Sequence, residues 1–299
     1  MVFVPDHRLR LRRGGRPFWA VAVLTALLAF AADISTLAAK PQRVVSMNLC
    51  TDQLLIMLAD REQIASVSYL AADPRSSALA DAAQGLVVNH GLSEEILPMN
   101  PDLVLAGTFT TRPTVFLLRK LGYRVVELPV ASTLEDIRSN IRSVAEAVGR
   151  TDRGTALIAA FDRKLAQQRQ TISEPRPMAV LYWANGFTSG VDTLANAAVE
   201  AAGFRTLGRV LELKGTVQLP LEALLTVEAD VLIMGRKRDG AALANETFRH
   251  PALKRAFAAH STVSVPDHLW ICGTPFVADA IERLSKLREG VQENGKEGG

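Results

Sequence analysis

The chain has 299 residues, 48% hydrophobic and 22% charged, which excludes an intrinsically disordered chain and leaves apolar material for one large core or two smaller ones. Its pI near 9.0 originates at the N-terminus, where Arg8, Arg10, Arg12, Arg13 and Arg16 precede an apolar run from Phe18 to Ala32. Taking the five basic and two acidic residues of segment 1–39 from totals of 34 and 31 leaves 29 of each, so the clustered basic face of a nucleic-acid binder is not expected.

Segment 1–39 reads as a signal peptide, because its apolar run is short for a bilayer span and small residues follow it, with candidate cleavage points after Ala31, Ala38 or Ala39. A retained anchor is the alternative. No cysteine follows the run, so lipid attachment is not expected, and Arg12-Arg13 leads into Gly-Gly, which favours the general secretory route. The mature chain is thus expected to be a soluble exported protein.

From Gln42, Arg-Val-Val-Ser forms a short strand, Met47 to Cys50 a loop, and Asp52 to Ala59 a helix built on Leu54, Leu55 and Leu58. Strands follow at Ile64 to Tyr69 and Leu86 to Val88, then a short helix from Leu92 and a buried-type strand from Leu103 to Ala106. A helix over 113–121 and a strand from Tyr123 to Leu128 complete the first half. Helices alternating with short apolar strands predict a largely parallel sheet.

The stretch from Thr133 to Gln170 organises the rest. Thr133 and Asp136 have capping-box spacing, and Ile137, Ile141, Val144 and Val148 recur at helical steps that resume with Leu157, Phe161 and Leu165. One long helix of roughly 55 Å is expected, at about 1.5 Å per residue, with two helices broken near Gly149 and Gly154 as the alternative. The domain organisation expected is a signal peptide at 1–39, an α/β lobe at 40–132, a connecting helix at 133–171, a second α/β lobe at 172–290 and a flexible tail at 291–299. Beyond the helix the same order of elements returns: strands from Met178 to Trp183, Val231 to Met234 and Thr262 to Val265, and a last helix over 276–289. At one offset of 128, Glu94 answers Glu222, Leu97 answers Leu225, Asp102 answers Asp230 and Gly107 answers Gly235, which implies two similar Rossmann-like lobes.

In such sheets ligands gather beyond the carboxyl ends of strands. Those loops hold Asn48, Tyr69, His90, Phe109, Trp183, Phe187 and Trp270, with Arg112, Arg236, Lys237 and Arg238 as cations for carboxylates or phosphates of a bulky ligand. Nucleotide loops, a Gly-x-Ser-x-Gly elbow and a His-Glu-x-x-His motif are missing, which points to binding rather than catalysis; an exported two-lobed enzyme is the rival. No cofactor is expected. Cys50 and Cys272 can pair in an oxidising compartment or remain free, and with His90 and His268 they would form a zinc-type donor set whose spacing fits no compact motif.

The segments Arg43-Val-Val-Ser-Met-Asn-Leu-Cys-Thr-Asp, Glu94 to Pro101-Asp102-Leu-Val-Leu, the long helix and Trp270-Ile-Cys-Gly-Thr-Pro275 resemble periplasmic substrate-binding proteins of the iron-siderophore and cobalamin ABC-importer family, the type with a helical backbone. The resemblance spans about 42 to 289 and implies two lobes joined by a rigid helix, a monomer that hands its ligand to a membrane permease. It implies that Glu94 and Glu222, one from each lobe, face arginines of that permease. For cobalamin or haem, Tyr69, Tyr182 or His90 would be the axial ligand; the cations favour an anionic ferric siderophore instead. Ala229 stands where the family's second lobe usually has Pro, and the two cysteines are not a general family feature. Four histidines outside segment 1–39 are too few for the zinc and manganese branch.

Overall fold

A computed structural model describes residues 40–170, 172–235, 250–257 and 261–297. In the first lobe β1 (Val44–Ser46), α1 (Leu49–Leu58), β2 (Ile64–Ser68), β3 (Val88–Asn89), α2 (Ser93–Ile96), β4 (Leu103–Gly107), α3 (Arg112–Lys120) and β5 (Val125–Leu128) follow one another. The strands form one parallel sheet in the order β3-β2-β1-β4-β5. Every residue of Leu103 to Ala106 is buried, the near-continuous apolar run that a parallel strand covered on both faces requires.

Two helices follow, α4 (Leu134–Ala147) and α5 (Thr151–Arg169), where one long helix was expected. The chain departs from the helical path at Gly149, whose φ is 69°, a left-handed value open to glycine. Arg150 N–H bonds back to the Ala145 carbonyl at 2.7 Å, which closes α4 with a Schellman motif. The helices then fold against each other antiparallel. Arg138 meets Asp162 at 2.6 Å and lies 5.5 Å from the Phe161 ring centre, while a Cβ added at Gly154 would sit 2.5 Å from that of Ala145. Only α5, about 28 Å long at 1.5 Å per residue, is left as the connecting rod. It meets the last helix through Lys164 and Asp279 at 2.7 Å.

The second lobe holds β6 (Met178–Tyr182), β7 (Phe187–Ser189), α6 (Leu194–Ala201), β8 (Arg205–Thr206), α7 (Leu207–Val210), β9 (Thr216–Gln218), α8 (Leu221–Leu225), β10 (Val231–Met234), α9 (Pro251–Ala256), β11 (Ser261–Ser264), α10 (Asp267–Trp270) and α11 (Val277–Glu297). Its parallel sheet runs β11-β10-β6-β8, and β7 pairs antiparallel with β9. Helix α11 runs on to Glu297, so most of the segment expected to be a flexible tail is helical.

The internal repeat is built into the hydrogen bonding. The Asp102 carboxylate accepts the backbone N–H groups of Gln42 and Arg43 at 2.6 and 3.0 Å, and Asp230 accepts that of Met178 at 2.7 Å. Asp102 lies directly before β4 and Asp230 directly before β10, and each ties down the entry to the first strand of its lobe, giving the registers Val44 to Leu103 and Ala179 to Val231. One apolar core runs through both lobes, from Leu54, Leu55 and Leu58 of α1 through Ile141, Phe161 and Leu165 to Val231, Ile233 and Ile281.

Candidate functional site

In each sheet the chain reverses its direction of strand order beside the first strand, between β1 and β4 and between β6 and β10, and ligands of open α/β sheets bind beyond the carboxyl ends at such switch points. Asn48 and Gly107 flank the first switch point: a Cβ on Gly107 would come within 3.3 Å of the Asn48 amide. Trp183 and Gly235 flank the second, where an added Cβ would lie 2.8 Å from the indole.

Asn48 is the N-cap of α1, its Oδ1 accepting the Cys50 N–H at 2.9 Å. This turn aims Cys50 at Cys272, in the loop after α10; the two residues form a disulfide with Cα atoms 5.1 Å apart. The first lobe is thereby cross-linked to the loop preceding the last helix, and the bonded sulfurs supply no thiolate to the zinc-type set considered with His90 and His268. His268 sits half-buried on α10.

Tyr69 and His90 leave the ends of β2 and β3 and stack, with ring centres 5.1 Å apart and an interplanar angle of 22°. A buried network sets their positions. Asn89 donates to the Ser46 carbonyl, Ser66 Oγ and the Val67 carbonyl at 2.9, 2.7 and 3.0 Å. Asp52, fully buried on α1, accepts from Ser68 N–H at 3.0 Å and Ser68 Oγ at 2.5 Å, one residue before Tyr69. Burial pushes the Asp52 carboxyl up to about 7, against the opposing pull of its hydrogen bonds from Ser46 and Ser68. The His90 imidazole is oriented by Glu95, which accepts the His90 backbone N–H at 2.6 Å and lies 2.9 Å from Nδ1. Those contacts, the backbone N–H first, hold the Glu95 carboxyl below its ordinary range.

The other expected residues divide. Phe109 is 83% exposed beyond β4, and Phe187 is exposed at the start of β7. Arg112 is engaged, donating to Glu127 at 2.8 Å and to the Thr108 carbonyl at 3.1 Å. Arg236, Lys237 and Arg238 lie outside the described residues. Trp183 is half-buried, donates from Nε1 to Ser189 at 2.8 Å and meets Trp270 edge-on at 5.7 Å. Trp270, expected in the cleft lining, is instead buried in the core at 7% exposure. Tyr182, expected as one choice of axial ligand, is fully buried within β6, and burial followed by the charge of Glu222 pushes its phenol up. Glu94 and Glu222 are both exposed in the first turns of α2 and α8, whereas Glu95 is committed to His90.

Three residues not singled out from the sequence complete the site. Val130 after β5 and Ile271 before Cys272 are 63% and 57% exposed, and Gly273 closes on Ala131, whose Cβ would be 2.2 Å from one added there. They share with Asn48, Cys50 and Phe109 a cavity of about 160 Å³ at the first switch point, walled by both lobes. An apolar residue in a loop carries no local signal of exposure, so these were legible only once the lobes were assembled.

Two lobes with related parallel sheets, joined by a helix, give a two-lobed α/β fold. The family model for periplasmic binding proteins matches residues 44–262, and the chain belongs to that family. A cobalamin-binding protein of Halobacterium salinarum is 26% identical over 213 residues, 68% of this chain; the chain spans only 56% of that relative's length. Among solved structures, a periplasmic haem-binding protein from Pseudomonas aeruginosa aligns with TM-score 0.68 and 22% identity over 83% of this chain and 92% of its own. The periplasmic vitamin B12-binding protein of Vibrio cholerae aligns with TM-score 0.64 and 18% identity over 85% and 98%. An Fe3+-hydroxamate transport protein from Saccharomonospora viridis gives 0.61 and 20% over 83% and 93%. At these identities the structural likeness is one of fold.

Proposed function

We propose that this chain binds an iron-siderophore complex or a cobalamin-type ligand between its lobes in the periplasm and delivers it to the permease of an ABC importer. The observation that carries the reading is the exposed Tyr69–His90 stack, which with Phe109 and Phe187 offers ring faces at the strand ends of a member of the periplasmic binding protein family. Exposed aromatics at the carboxyl ends of strands are suited to a bulky, partly planar chelate. Glu127 is shared by Arg112 and Arg119, one carboxylate against two guanidinium groups, so a net positive charge remains beside β5 for an anionic ligand. The cobalamin-binding relative supports the same direction.

The role is one of binding and transfer, not catalysis, and segment 1–39 is the export signal. Glu94 and Glu222, equivalent in the repeat and both exposed at helix starts, are the groups that orient the loaded protein on the permease through paired charges. The test is a titration of the mature protein, followed by quenching of Trp183 and Trp270 fluorescence, with ferric siderophores, cobalamin and haem. Saturable quenching by a siderophore or by cobalamin, weakened at least about tenfold by Tyr69→Ala, supports the reading. Response to haem alone would replace the ligand class, and silence towards all three would overturn it.

A further inference from the structure

From the cavity at the first switch point we infer that the ligand carries a pendant aromatic ring, and that this cavity is its subsite; the inference rests on the import reading above and narrows it. The cavity is too small for a whole metal chelate: its volume is about 160 Å³, whereas drug-sized ligands occupy roughly 300–1,000 Å³. It does match one ring. A protein cavity of about 150 Å³ with apolar walls binds benzene, and at interior packing density of about 0.75 this one would hold about 120 Å³ of atoms.

Its walls suit that occupant. Phe109, Val130 and Ile271, three of the chain's exposed large hydrophobics, converge on it from loops of both lobes. The polar side chains on the same walls are already bonded to backbone: Thr51 to the Asn48 carbonyl at 2.8 Å, Thr108 to that of Leu128 at 3.0 Å and Asn140 to that of Pro129 at 3.2 Å. Asn48 likewise accepts the Cys50 N–H. What remains for a guest is mainly apolar contact, beside the Asn48 amide nitrogen and the Asn140 amide oxygen, and the exposed Phe109 gives a ring a partner for stacking. The disulfide forms part of the wall through Cys50, so both lobes contribute at fixed separation. An alkyl arm can cover the apolar faces but offers no ring to stack on Phe109; a catechol or benzimidazole arm does both.

The experiment compares matched probes on the mature, oxidised protein: cobalamin against cobinamide, which keeps the corrin but lacks the benzimidazole, and a ferric tris-catecholate against a ferric tris-hydroxamate. Within the pair that binds, the ring-bearing member is expected to bind at least about tenfold more tightly. Phe109→Ala combined with Ile271→Ala should weaken the ring-bearing member by about fivefold or more beyond any effect on the ring-free member, so that the preference closes. Both residues are exposed, so an unchanged urea midpoint will show that the fold is intact. Equal binding of the two members, or a preference that survives the double substitution, overturns the subsite while leaving the import reading standing. Failure of all four probes to bind overturns both.

Discussion

Replacing Cys50 and Cys272 together by Ser removes a cross-link between residues 222 apart in the chain. The loss in the chain-entropy treatment is 2.1 plus 1.5R times the logarithm of the loop length, about 18 cal/mol/K for this loop, or about 5 kcal/mol at 25 °C. The unfolded chain retains some structure, so about 3–5 kcal/mol is the expected loss. Urea unfolding under non-oxidising conditions, followed by circular dichroism, measures it. With a slope of about 2–3 kcal/mol/M for a chain of this size, the midpoint should fall by roughly 1–2.5 M. The wild type under full reduction should coincide with the variant. A loss under about 1 kcal/mol would refute the reasoning, because it would mean that the lobes are held together by the shared core without help from the bridge.

Three further outcomes are expected. In the unfolded chain Asp52 ionises near 3.8, but in the fold it does so at about 7, so the native state keeps a proton that the unfolded state has released, and stability falls as pH rises across that window. The total is about 4 kcal/mol at 1.36 kcal/mol per pH unit; Asp52→Asn should flatten this fall between pH 5 and 8, and an unchanged difference between urea midpoints at those values would sink the assignment. Gly154→Ala forces a methyl against Ala145 at the hairpin crossing and should cost about 1–3 kcal/mol in thermal or urea unfolding, with no measurable loss disproving the close approach. Glu94→Lys with Glu222→Lys should leave ligand affinity within about twofold and abolish uptake in cells; retained uptake would remove both residues from the docking role.

Much of the architecture was legible because it rests on short, local units. The pairs Glu94 and Glu222, Asp102 and Asp230, and Gly107 and Gly235 each sit in a helix, turn and strand whose spacing is fixed by neighbours in sequence, and those units occupy matching places in the two sheets. The break at Gly149 was harder, since glycine within an apolar helical stripe is compatible with either a weak helix position or a left-handed stop. The choice is made by the packing of α4 on α5, where Gly154 allows the hairpin to close. Tryptophan carries the same ambiguity between core and cleft: Trp183 and Trp270 touch, yet only the first retains a half-exposed surface. The exposure of Val130 and Ile271 is a property of how two lobes meet, and a single stretch of chain does not encode it.

The paired aspartates set a ruler inside each half of the molecule. Because Asp102 and Asp230 grip the start of the first strand from the residue just ahead of its neighbour across the switch point, an insertion between aspartate and glycine would displace Gly107 from Asn48, or Gly235 from Trp183. Insertions placed after those glycines leave the measure untouched. The cleft walls can thus diverge in chemistry through their loops while the strand ends keep their alignment, a division of labour that lets one scaffold be refitted for a new cargo without rebuilding its frame.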